Sequence, residues 1–182
     1  LIVLLALGGV AARADLNLVP VASYYESDGV RFPNLTFRDG PCRVTYVPPP
    51  QWTYTGSSGR FTLYPPNGVR ADAMFTTANT PAPIAVSLET TRYYESVVRS
   101  LLPRDATTVA LRGSILSPLR ICGRPTVEFV FDLVLFAQRY RVGCVLLPRE
   151  HDRLQFMICA VPEHFDRLRA ELHRSLYTLE GL

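Results

Sequence analysis

The chain holds nucleophiles, acids and imidazoles, but their spacing does not assemble a reacting set. Its three histidines are His151, His164 and His173. His151 stands between Glu150 and Asp152, a trio of residue types that ligate metals. Consecutive side chains in a loop diverge, whereas a metal site needs convergent ligands, so a solvated turn is the simpler reading. His164 and His173 share a predicted helix, nine residues apart. At about 100° per residue they fall on opposite sides and cannot chelate one ion. His173 suits the negative end of that helix. A serine hydrolase would need its nucleophile on a sharp turn of the form G-x-S-x-G. The chain offers only Gly56-Ser57-Ser58-Gly59 and Gly113-Ser114. Glu128 and Asp132 share a strand face, but four residues at ~3.3 Å each set them ~13 Å apart. That exceeds the ~5–9.5 Å of glycosidase pairs, and both are better matched to Arg139 or Arg141 on the next strand. All 19 basic residues are Arg, so lysine Schiff-base chemistry is excluded. No glycine-rich phosphate loop occurs. No catalytic, cofactor-binding or metal-binding residue is assigned.

Recognition has a better candidate. Trp52, Tyr54, Phe61 and Tyr64 concentrate around Pro48-Pro49-Pro50 and the Gly56–Gly59 turn. Aromatic residues beside loops form interaction surfaces, and they also cap cores. Trp52, Tyr54 and Tyr64 are the partner-binding candidates.

Four cysteines, Cys42, Cys122, Cys144 and Cys159, permit two disulfides. None has C-x-x-C spacing, so neither a redox motif nor a zinc knuckle is indicated. With Glu150 to Arg153 as a four-residue hairpin loop, Cys144 falls opposite Cys159. A Cys144–Cys159 cross-strand bond is then expected, with Cys42–Cys122 as the second pair. The alternative is buried free thiols, which pack as small hydrophobes.

The elements that must position these groups begin with an address. Leu1 to Val10 is apolar and Ala12-Arg13-Ala14 follows, which reads as a secretory signal peptide truncated at its start and cleaved after Ala14. The apolar run is short of the ~20 residues a membrane span needs. Val127 to Leu147 is interrupted by charges, so the mature form should carry no transmembrane segment. A periplasmic or secreted location follows. Residues 1–14 are thus read as the signal, 15–40 as an N-terminal extension and 41–182 as a single domain. Formal charge is +3, with arginines interspersed among acids, which gives no nucleic-acid footprint. Asn34-Leu35-Thr36 matches a glycosylation triplet.

Alternation predicts strands over Cys42–Val47, Arg60–Tyr64 and Asp72–Thr77, with Ile84–Leu88 as a short one. Thr107–Leu111 returns to period two, and Ser117-Pro118 reads as turn material. Thr126–Ala137 is largely apolar on both faces and should be a central strand at least partly covered on both sides. Tyr140–Leu147 and Leu154–Val161 form the next hairpin. Helical spacing appears over Glu89–Leu102, stopped by Pro103, and in a terminal helix opened by Pro162. Phe165, Leu168, Leu172 and Leu176 make that helix's buried stripe.

In layout, residues 36–179 resemble the PsbP-like fold family, which includes exported DcrB-like proteins. Tyr46-Val47-Pro48 leading to Trp52 resembles the family's opening. Arg120–Leu147 resembles its turn and two long central strands. Phe165 through Ser175-Leu176 resembles its final helix. The resemblance implies an α+β fold, an antiparallel β-sheet flanked by helices in an α/β/α sandwich. It also implies a binding or assembly role, with a protein or envelope component as partner. The alternatives are a secreted hydrolase with an unrecognised site and a structural envelope protein.

Overall fold

A computed structural model describes residues 16–80 and 82–182. The expected signal segment 1–14, with its cleavage point after Ala14, lies outside the described residues. A single domain is built from antiparallel sheets and two helices.

The described residues open with three strands, β1 (Asn17–Ser27), β2 (Val30–Asp39) and β3 (Cys42–Tyr46), paired in the order β1-β2-β3. Next come β4 (Thr53–Ser57), β5 (Arg60–Tyr64) and β6 (Ala71–Asn79), then helix α1 (Thr91–Leu101). The strands β7 (Thr107–Ile121), β8 (Arg124–Leu135), β9 (Gln138–Pro148) and β10 (Asp152–Ala160) form a meander, and α2 (Pro162–Leu176) follows. The large sheet has seven strands in the order β4-β5-β6-β10-β9-β8-β7.

The two faces of the central strands explain the layering. On β8, Val127, Phe129, Phe131 and Leu133 alternate to one side and pack with Tyr94 and Val98 of α1. On the other side of the sheet, Val145, Leu147, Phe156 and Ile158 pack with Phe165, Leu168, Leu172 and Leu176 of α2. The small sheet adds Leu35, Phe37, Val44 and Tyr46 to that second core. Period two on the strands and period 3.6 on α2 thus converge on one apolar layer.

Three segments differ from the sequence reading. Residues 15–40, read as an extension, contain a hairpin whose Leu16, Leu18, Leu35 and Phe37 are core residues. Ile84–Leu88 is an irregular connection rather than a strand. Ser117-Pro118 lies inside β7, not in a turn. A register shift between Leu116 and Arg120, with Ser117 at φ +52°, absorbs the proline as a bulge.

The expected Cys144–Cys159 bond is not formed, and all four cysteines are free. The β9–β10 turn is tighter than expected. Arg149 N–H donates to the Asp152 carbonyl at 2.8 Å, so only Glu150 and His151 form the loop. Arg149 enforces this closure. Its side chain is 1% exposed and its Nε donates to Asp152 Oδ1 at 2.6 Å, while its Nη1 bonds Asp39 of β2. The register therefore slips by two, placing Cys144 opposite Met157 and Cys159 opposite Val142. A slip of two keeps both thiols on the same face but makes them diagonal neighbours, ~7–8 Å apart, beyond disulfide reach. Cys42 and Cys122 are likewise unbonded; the Cys122 thiol donates to the Leu179 carbonyl at 3.2 Å.

Candidate binding surface

A proline ridge divides two grooves beside the small sheet. β3 ends at Tyr46 because Pro48, Pro49 and Pro50 cannot donate to a ladder. The ridge is pinned on both sides. Tyr46 Oη and Ser175 Oγ share a buried hydrogen bond of 2.8 Å, and Val47 N–H donates to Thr178 Oγ1 at 2.8 Å. Burial raises the Tyr46 phenol well above its ordinary value despite that bond to Ser175. The Trp52 indole N–H donates to Glu171 Oε2 at 3.0 Å, and Arg167 holds the other carboxylate oxygen at 2.7 Å.

Between the ridge and α2 lies a groove of about 690 Å³, walled by Pro48–Gln51, Pro66, Arg167 and Arg174. On the ridge's other side a second groove of about 470 Å³ is lined by Tyr24, Tyr25, Phe32, Trp52 and Tyr54. Its outer wall is the β1–β2 arm. Within β2, β3 pairs with Leu35–Asp39, so among the described residues positions 30–34 of that strand pair with β1 alone. Tyr25 and Phe32 oppose each other across this two-stranded arm, their rings stacked at 5.0 Å. Val21, Tyr24, Tyr25 and Val30 are each about half exposed or more.

The aromatic candidates are dispersed. Trp52 is 5% exposed, so it contributes a buried floor to the aromatic groove. Tyr54 stands at the rim, 38% exposed. Tyr64 lies in another cleft with Arg60, Asp72 and Tyr140. In that cleft burial raises the Asp72 carboxyl, with nearby Arg60 pulling the other way. The arm's Tyr24, Tyr25 and Phe32 escaped the sequence reading. Asp28-Gly29 was the available signal: both have positive φ, and Asp-Gly between alternating apolar residues marks a two-residue hairpin.

The ionisable candidates serve packing. Asp132 takes Arg141 Nε and Arg112 Nη1, each at 2.9 Å, and so pairs with Arg141 as its spacing suggested. Glu128 pairs with neither Arg139 nor Arg141. Its side chain is 0% exposed, and it receives Arg169 Nε at 2.6 Å and lies 3.1 Å from His173 Nε2. His173 is therefore engaged with that carboxylate rather than with the helix end alone. His151 is exposed, 3.6 Å from Glu150. Among the described residues no three His, Cys, Asp or Glu side chains gather as a metal cluster. Nor is any described helix long and apolar enough to cross a membrane.

No family model and no curated protein matches the chain. Solved structures do. The cyanobacterial PsbP, CyanoP, of Synechocystis superposes with a TM-score of 0.53 at 10% identity, covering 98% of this chain and 99% of its own. A protein of unknown function from Pseudomonas aeruginosa gives 0.46 at 13% identity, covering 88% and 97% respectively. A Bacteroides thetaiotaomicron protein gives 0.49 at 11% identity, covering 76% of this chain, which spans 45% of that one. The likeness to CyanoP extends over nearly the whole length and is one of fold.

Proposed function

We propose that this chain is an exported, non-enzymatic binding or assembly protein that seats a protein partner in the aromatic groove. The observation that carries the reading is the arm. Among the described residues its outer half pairs with no third strand and presents Tyr24, Tyr25, Val30 and Phe32 to solvent. Exposed apolar surface of this kind marks interaction sites, and aromatic residues contribute disproportionately to interface energy. A rigid ridge on one side and a two-stranded arm on the other give the groove one fixed wall and one adaptable wall. The PsbP-like fold supports a binding role by analogy only, since one fold hosts many functions.

The test is site-specific photo-crosslinking in the native host, with the reactive group at Tyr54. A discrete adduct is expected that disappears in Tyr25→Ser/Phe32→Ser while the folded protein persists. An adduct pattern unchanged by that double variant would overturn the groove as the binding site. Fractionation of the same cells tests export: recovery in the cytosolic fraction alone contradicts the proposed location.

A further inference from the structure

Part of one face of the large sheet is open, and charged side chains collect there. Residues two apart on a strand share a face, which sets Asp72 and Met74 of β6 on one side. Opposed residues of paired strands point the same way. The pairs Thr62↔Met74 and Asp72↔Cys159 therefore bring Thr62 of β5 and Cys159 of β10 to that side, and Arg60↔Thr76 adds Arg60. Helix α1 packs over the β8 end of this face through Tyr94 and Val98. Over β5, β6 and β10 the face forms the floor of a cleft of about 680 Å³. Its lining gains Val69 and Arg70 from the β5–β6 connection and Tyr140 from β9.

The charges in this cleft are uncommitted. Arg112, Arg141, Arg149 and Arg169 each hold a carboxylate of this chain. Among the described residues neither the Arg60 nor the Arg70 guanidinium joins an ion pair. Arg60 acts on Asp72 through its charge without bonding to it. Burial raises the Asp72 carboxyl and Arg60 offsets only part of that rise, so the carboxylate gains from a further cation beside it. Two guanidinia and one carboxylate leave one positive charge in excess. The complement of that pattern is a molecule with two carboxylates and one ammonium. The Tyr64 and Tyr140 hydroxyls can donate to carboxylate oxygens. Met74 and Val69 offer apolar ground for a short methylene stem. The volume lies within the ~300–1,000 Å³ of small-molecule sites.

We propose that this cleft binds a free acidic α-amino acid, with Asp72 receiving the ammonium and Arg60 and Arg70 the two carboxylates. A guanidinium fork matches a carboxylate, and the charged hydrogen bonds that result are the strong ones. The site is separate from the aromatic groove and does not rest on the protein-partner reading.

L-Glutamate is the probe, titrated into the full chain labelled with 13C at its methionine methyl groups. The chain has two methionines. Met74 lines the cleft, and Met157 opposes it from β10. The Met74 methyl resonance should shift saturably. L-Glutamine lacks the second carboxylate and N-acetyl-L-glutamate lacks the ammonium. Each should bind about tenfold or more weakly, as should glutamate to Arg60→Gln or Arg70→Gln. Glutarate, a dicarboxylate without the ammonium, should bind wild type more weakly than glutamate does. Asp72→Asn should reverse that order. All three positions are exposed, so the variants should keep the wild-type urea midpoint. The analogue series on wild type needs no variant. A Met74 resonance that glutamate leaves in place would overturn the assignment. So would equal wild-type affinities for glutamate and glutarate, or an order that Asp72→Asn does not reverse.

Discussion

Gly143 of β9 stands against the Cζ–Cε2 edge of the Phe165 ring in α2. A Cβ placed on Gly143 would stand 3.0 Å from Phe165 Cζ and 3.3 Å from Ile158 Cγ2. Phe165 is 1% exposed, so the ring has little freedom to retreat. Gly143→Ala should therefore cost about 1–3 kcal/mol as an overpacked core. Urea unfolding checks this: the midpoint should fall with an unchanged slope. An unaltered midpoint would show that α2 sits on the sheet less tightly than described.

Glu128 makes stability acid-sensitive. Burial alone would raise its carboxyl, but the hydrogen bonds from Arg169 and His173, with their charges, outweigh burial and hold it below the ordinary carboxylate value. A group whose folded value is depressed stabilises above its unfolded value of about 4.3. That contribution is lost as pH falls through the folded value. Wild-type urea midpoints should hold near neutrality and drop below about pH 4. Glu128→Gln should cost about 3 kcal/mol at pH 7 and flatten the acid limb. Asp132, also depressed against its burial by Arg141 and Arg112, should leave part of that limb in place. A Glu128→Gln limb identical to wild type would refute the assignment.

The central meander and both helices were legible in the sequence because they are periodic. Val127, Phe129, Phe131 and Leu133 alternate over a long run, and Phe165 to Leu176 keeps helical spacing, so each pattern identifies its own buried face. The β1–β2 arm was not legible by that route. Most of its apolar residues face solvent, so its alternation marks no core, and only Asp28-Gly29 announces it. The β9–β10 register was hidden for another reason. It is set by Arg149 bonding Asp152 together with Asp39, a residue 110 positions away. No local pattern reports such a contact, and the disulfide expectation failed with the register.

The thiols should divide into two reactivity classes. Cys42 and Cys122 are exposed. Burial pushes Cys144 and Cys159 each up to about 12. Thiolate is the nucleophile in alkylation. Iodoacetamide at pH 8 should modify Cys42 and Cys122 in the native protein, and Cys144 and Cys159 only after unfolding. Peptide mapping of unreduced, purified protein reads both classes. A Cys144–Cys159 disulfide in that map would contradict the register across β9 and β10.

The two sheets meet where β1 crosses β4, and Gly56 is what allows it. Leu18 N–H donates to the Ser58 carbonyl at 3.1 Å, the backbone bond that joins small sheet to large. A Cβ on Gly56 would collide with Pro20 Cδ and come within 2.7 Å of the Leu18 carbonyl oxygen. Neither obstacle is a flexible side-chain end, so β1 must move. Gly56→Ala should lift β1 away and lengthen the Leu18–Ser58 bond, while Phe61 and Phe75 remain held by the large sheet. The first consequence is local: β1 loses its anchor, and the aromatic groove loses its outer wall. Limited proteolysis should then cut the Ser27–Val30 tip faster than in wild type, with the β8–β10 meander protected. Hydrogen exchange should show the same asymmetry, protection falling in β1 and β2 but not in β8. A variant that loosened everywhere at once would mean that the two sheets unfold as one cooperative unit.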